Sequence, residues 1–339
     1  MFRYNVLSAV GALILSSATL TAQPIYPDSV IQHKMSVEER AFLSSMKPGL
    51  QHSQMLAVRK AMRGDDSDLQ QIRVSRNQAP ELPETVKTYY PTPDICLFSP
   101  KAHTTHTRPI LLYLHGGGWC FGSINSCARF CAAVALEGDC MVAALNYRLA
   151  PAHPYPAALE DIRQAVSYLR EHAAEWGCDP ALIAVGGDSA GGNLALAAGM
   201  SVPGIARIIP IYPVVKLFTE VTPSWSKYGQ GYGNDAELLE AFNEAYANYD
   251  ERNSLISVGL SSDEALRTLP PALFISAGHD ILLDQTAELV DRMDRLGCPV
   301  SYHVYPTATH LFITVPGQPT AFKEAVSAVS KFLNTSPNE

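Results

Sequence analysis

The chain of 339 residues is poor in charge, at 17%, and poorer still in positive charge: 25 Lys and Arg stand against 33 Asp and Glu, a net of −8. No run of basic residues relieves that deficit, which argues against nucleic acid or an anionic membrane surface as the main partner, since both need a basic face. The seven cysteines (Cys96, Cys120, Cys127, Cys131, Cys140, Cys178 and Cys298) form no disulfide framework, and their odd number leaves at least one unpaired within the chain. No paired C-x-x-C offers a structural zinc site, so buried, inert thiols and no metal are expected. Internal repeats and low-complexity tracts are absent. With 47% hydrophobic residues the bulk of the chain is not disordered, and it supplies one large α/β core plus a small accessory element.

Also missing is an apolar run of the roughly 20 residues that a bilayer-spanning helix needs. The nearest approach is Val6 to Leu20, uncharged and rich in small residues, preceded by Arg3 and followed by Thr21-Ala22-Gln23-Pro24. That pattern predicts a signal peptide over 1–22, cleaved after Ala22 or Ala18, and hence an exported protein, periplasmic or secreted, with no stable membrane anchor after cleavage. No cysteine sits at the cleavage site to carry a lipid.

What is present is concentrated in four segments. Gly187-Asp188-Ser189-Ala190-Gly191 has the form G-x-S-x-G between an apolar run and a helix-forming run, a setting in which a strained strand-to-helix turn presents the serine Oγ at the top of a sheet. Ser189 is the candidate nucleophile. His115-Gly116-Gly117-Gly118-Trp119 follows the strand-like run Ile110–Leu114, and three successive glycines let backbone N–H groups approach a ligand closely. Gly117 and Gly118, with Ala190 after the serine, are the candidate oxyanion hole.

A base and an acid are expected after the serine, in the order Ser, acid, His. Pro271–Ala277 reads as a buried strand with Asp280 just beyond its end, so Asp280 is the candidate acid; Asp284 lies a helical turn further and reads as a helix-capping or solvated residue. Val300–Tyr305 reads as the next strand, and the following loop carries His310, the candidate base. Asp188 and Asn193 read as braces of the serine turn.

The strand-like and helix-like segments alternate from Tyr89 onward, which predicts a mostly parallel central sheet with helices on both faces. Ahead of them, 23–88 reads as a helical segment with helices at Ser36–Met46 and Met55–Gly64, and 335–339 as a disordered tail. Between Lys216 and Thr268 the alternation breaks into a polar, aromatic insert. There Phe242, Tyr246 and Tyr249 read as core. Trp225, Tyr228 and Tyr232, with Trp119, are the expected substrate pocket, and Gly229, Gly231 and Gly233 suggest a movable lid.

The combination of HGGGW at 115–119, the stretch from Tyr147 to Asp161, GDSAGGN at 187–193, Leu269-Pro270-Pro271-Ala272 leading to Asp280, and His310-Leu311-Phe312 resembles the bacterial hormone-sensitive-lipase-like family of α/β-hydrolases. That family includes acetyl esterases and small-acyl carboxylesterases. The resemblance runs from about Pro109 to Phe332. It implies an α/β-hydrolase fold over 89–334, a helical cap formed by the N-terminal helices and the 216–268 insert, a small-molecule ester substrate and no cofactor. Two positions depart from the family pattern: Leu311 stands where Gly is usual after the histidine, and Ala277-Gly278-His279-Asp280 is a less acidic acid loop. A non-catalytic ligand-binding module on this fold is the alternative, disfavoured because all three triad members are present. A serine peptidase is another, and nothing in the sequence marks a channel for an extended peptide.

Overall fold

The computed structural model describes residues 34–102 and 106–335. The expected signal peptide and all but the first residue of the expected C-terminal tail lie outside them. Three helices come first: α1 (Val37–Ser45), α2 (Leu50–Met62) and α3 (Ser67–Arg76). Then follow β1 (Val86–Thr92), β2 (Ile95–Pro100), β3 (Arg108–Leu114), α4 (Ile124–Glu137), β4 (Met141–Leu145), α5 (Ala157–His172), β5 (Cys178–Asp188), α6 (Ala190–Ser201) and β6 (Arg207–Ile211). The remainder holds α7 (Pro223–Tyr228), α8 (Ala236–Ala247), α9 (Asp263–Leu266), β7 (Ala272–His279), α10 (Leu283–Arg295), β8 (Val300–Thr309) and α11 (Pro319–Asn334).

The eight strands form one sheet in the order β1-β2-β4-β3-β5-β6-β7-β8. β2 runs antiparallel to β1 and β4, and every other pair is parallel. Parallel strands are covered on both faces and therefore read as continuous apolar runs. In β3, Ile110, Leu112 and Leu114 enter the cluster packed by α5, α6 and α10, whereas Leu111 and Tyr113 enter the one packed by α4 and α11.

Two elements differ from the sequence expectation. The sheet begins at Val86 with a hairpin, Val86–Pro100, that the sequence did not single out, and β1 exposes Lys87, Thr88, Tyr89 and Tyr90 on the sheet edge. An edge strand with so little buried surface carries no apolar alternation to detect. The sequence also hid α3, where Leu69 is the one fully buried side chain. All seven cysteines are free and buried, as expected for inert thiols; burial pushes Cys120 and Cys140 up to about 12. No helix among the described residues is long and apolar enough to cross a membrane.

Because β3, β5, β7 and β8 are parallel, their C-terminal ends share one rim. The residues that follow those ends are His115, Ser189, Asp280 and His310. Loops far apart in sequence thus open at one edge, where ligands of open α/β sheets bind.

Candidate active site

Ser189 sits between β5 and α6 with φ 57° and ψ −115°, a conformation that a side chain adopts only under strain, worth about 1–3 kcal/mol. Neighbouring contacts hold it there. Ser189 N–H donates to Ile211 O at 2.8 Å, and Asn193 Nδ2 donates to Val214 O and Ile256 O at 2.9 and 2.7 Å. The turn packs so closely on β3 that a Cβ at Gly191 would collide with the Leu114 carbonyl oxygen. Asp188 is buried beneath the glycine run: its Oδ1 accepts from Tyr113 Oη and from Gly116 N–H, both at 3.0 Å. Burial raises the Asp188 carboxyl to about 6, against the lowering effect of those two donors.

His310 lies between the serine and the acid. Its Nε2 is 3.0 Å from Ser189 Oγ and its Nδ1 is 2.7 Å from Asp280 Oδ2. The other Asp280 oxygen accepts from Leu282 N–H at 3.0 Å, which fixes the carboxylate plane. All three side chains are buried or nearly so, and the Tyr212 ring packs 4.5 Å from the imidazole. Asp284 belongs to another contact, accepting from Ser224 N–H at 2.7 Å and so tying α10 to α7. His115 is equally buried, stacked on Tyr147 at 4.3 Å, and burial lowers it to about 4. Glu160 and Asp161 both pair with Arg148.

Ser189 and His310 open into a cavity of about 320 Å³ that Gly117 and Gly118 also line. Other lining side chains come from α1, α2 and α8, among them Phe42, Leu50, Leu238 and Phe242, with Met46 just after α1. A Cβ at Gly118, whose φ is +60°, would fall into the Phe242 ring. Ala190 is the first residue of α6, so its N–H is one of the donors that a helix start leaves without an intrahelical acceptor. A larger cleft of about 620 Å³ lies elsewhere; Arg148 and Asp161 line it but no triad candidate does.

The expected pocket aromatics do not line this cavity. Trp119 is 1% exposed and stacks on Tyr246 at 4.4 Å, because the glycine turn directs it into the core. Tyr228 and Tyr232 pack on each other and on His279, outside the cavity, and Trp225 packs against the core. Phe242, expected in the core, faces the cavity as well, and Tyr249 is 96% exposed at the irregular end of α8, where no element covers it. Of the three glycines read as a lid, Gly233 alone lines the cavity. Phe42 and Leu50 were not singled out, because helices so far upstream give no local sign of which of their residues meet the site.

A mostly parallel sheet with a strained serine turn at its rim defines an α/β-hydrolase. The family model described as the alpha/beta hydrolase fold matches residues 111–314, and the chain belongs to that family, among its hormone-sensitive-lipase-like carboxylesterases. Over 225 residues it is 34% identical to the esterase LipI of Mycobacterium tuberculosis, a match spanning 65% of this chain and 70% of that one. To an ethyl acetate hydrolase of Pseudomonas putida it is 36% identical over 214 residues, 60% of this chain and 65% of the relative. A thermostable esterase from Pseudomonas putida ECU1011 has the same fold, with a TM-score of 0.75 over 89% of this chain and 98% of its own, at 21% identity. The protein is a carboxylic ester hydrolase.

Proposed function

We propose that the chain hydrolyses carboxylic esters of small acyl groups through Ser189, His310 and Asp280, by way of an acyl-enzyme. The observation that carries this is the pair of contacts at His310, 3.0 Å to the serine hydroxyl and 2.7 Å to the carboxylate. Ser189 Oγ attacks the ester carbonyl as His310 Nε2 takes its proton, and Asp280 holds the imidazole tautomer and steadies the imidazolium. The imidazolium then gives that proton to the departing alkoxide, leaving the acyl group on Ser189. Water, activated by the same nitrogen, releases the acid and restores the serine.

Backbone N–H groups of Gly117, Gly118 and Ala190 are the donors we assign to the tetrahedral oxyanion. Each such donor is worth roughly 3 kcal/mol in the transition state. The preference for small acyl groups rests on the cavity of about 320 Å³, at the low end of the roughly 300–1,000 Å³ usual for ligand sites, and on the ethyl acetate hydrolase among the relatives. The helices α1–α3 and the insert carrying α7 and α8 act together as the cap. Export through the N-terminal 1–22 segment belongs to the same proposal; N-terminal sequencing of the mature protein tests it.

Replacing Ser189 by Ala should abolish hydrolysis of p-nitrophenyl acetate and butyrate while the circular dichroism spectrum and melting temperature stay near wild type. Undiminished turnover in that variant would remove the mechanism.

A further inference from the structure

Charge in the cavity runs against the composition of the chain. Carboxylates outnumber cations 33 to 25 overall, yet among the described residues the cavity lining holds Arg76 and Lys47 and no Asp or Glu. Arg76 ends α3 and is half-buried. Its neighbour Arg73 spends its guanidinium on the carbonyls of Cys120 and Ala150, at 2.9 Å each. The Arg76 guanidinium has no hydrogen bond or ion pair among the described residues, and its carbon lies 5.3 Å from the centre of the Phe121 ring. Burial lowers its pKa, and no nearby acid raises it.

A partly desolvated cation without a counter-charge costs stability unless a ligand supplies one. The Phe121 ring flanks the guanidinium, and Phe121 in turn meets Phe242, the ring against Gly118. Arg76 is thus linked by ring packing to the glycine run, and it lines the same cavity as Ser189. A planar guanidinium so placed matches a carboxylate with two parallel hydrogen bonds. Lys47, exposed on the same lining, adds positive potential at the cavity and draws anions toward it.

We propose that Arg76 selects esters that carry a carboxylate elsewhere in the molecule, the anion binding its guanidinium while the ester carbonyl meets Ser189. The assignment rests on the esterase mechanism above. The carboxylate belongs either to the acyl part, as in a dicarboxylic acid half-ester, or to the alcohol part, as in an acylated hydroxy acid.

The test compares matched pairs by pH-stat at low ionic strength: monoethyl glutarate against ethyl pentanoate for the acyl side, and 4-acetoxybutanoate against butyl acetate for the alcohol side. In at least one pair, the anionic-to-neutral ratio of kcat/KM should fall about tenfold in Arg76→Met, mainly through KM, and Arg76→Lys should recover part of it. An independent measurement serves if Arg76→Met does not fold: glutarate should inhibit wild-type hydrolysis of ethyl pentanoate competitively, and 1,5-pentanediol should not. Ratios unchanged in a folded Arg76→Met, or no glutarate inhibition at concentrations on the order of 10 mM, would overturn the assignment while neutral turnover continued. Wild-type protein inert toward all four esters would instead defeat the esterase mechanism, and the assignment with it.

Discussion

The Glu39 carboxylate of α1 meets Nδ1 of His279 in a buried contact, one residue before Asp280. Glu39 serves two ends at once. Its other oxygen accepts from Ser36 N–H at 3.2 Å and completes the capping box that starts α1. Docking of the N-terminal helix and placement of the acid loop are thereby one interaction. Glu39→Ala leaves a ring nitrogen of His279 buried without its hydrogen-bond partner and should cost about 1–3 kcal/mol. Urea unfolding checks this, and kcat should fall with it as Asp280 shifts; an unchanged midpoint would show that the contact carries no stability.

Asp188 and His115 give opposite pH trends. The folded Asp188 carboxyl, near 6, keeps its proton where the unfolded one, near 3.8, has lost it, so its contribution to stability falls as pH rises across that window. Folded His115, near 4 against 6.5 unfolded, does the reverse: stability is lost as pH falls from 6.5 toward 4. Asp188→Asn removes the first trend and exposes the second. Its melting temperature should therefore drop more steeply than that of wild type between pH 6.5 and 4, a difference of up to about 3 kcal/mol. Parallel profiles for the two proteins would contradict the buried titration of Asp188.

The strand ends and the rim residues were legible because each signal is local. Gly187–Gly191 carries its own turn, Ile110–Leu114 its own burial, and Asp280 and His310 each follow an apolar strand. The pocket was not legible. Trp225, Tyr228 and Tyr232 look like pocket aromatics by composition, yet Tyr228 and Tyr232 lie against His279 while Phe42 and Leu50, from helices ahead of the sheet, line the cavity. Which side of a helix meets a distant loop is decided by tertiary packing, and no period in the sequence records it. The β1 edge strand was hidden for the opposite reason, since it buries too little to leave a pattern.

Leu311 follows the candidate base with φ 74°, in the left-handed region that favours glycine. Its side chain lines the cavity. Leu311→Gly relieves a strained backbone at the loss of some packing, so stability should change little. The widened cavity should raise hexanoate turnover relative to acetate about tenfold, read with p-nitrophenyl esters. No change in chain-length preference would show that Leu311 does not bound the acyl site.

Gly118→Ala should lower kcat/KM about a hundredfold, because the added methyl must displace either the Phe242 ring or the N–H assigned to the oxyanion. Adding Phe242→Ala removes the collision and should return about tenfold of the loss. Failure of the double variant to recover, with both proteins folded, would place the defect in the positive φ of residue 118 and not in contact with Phe242.

The most direct measurement of the central claim is covalent labelling with a fluorophosphonate followed by peptide mass spectrometry. One equivalent should attach to Ser189 in step with loss of ester turnover, Ser189→Ala should stay unlabelled, and His310→Ala should label far more slowly. Full turnover persisting after labelling, or a label on another residue that accounts for the inactivation, would contradict the account.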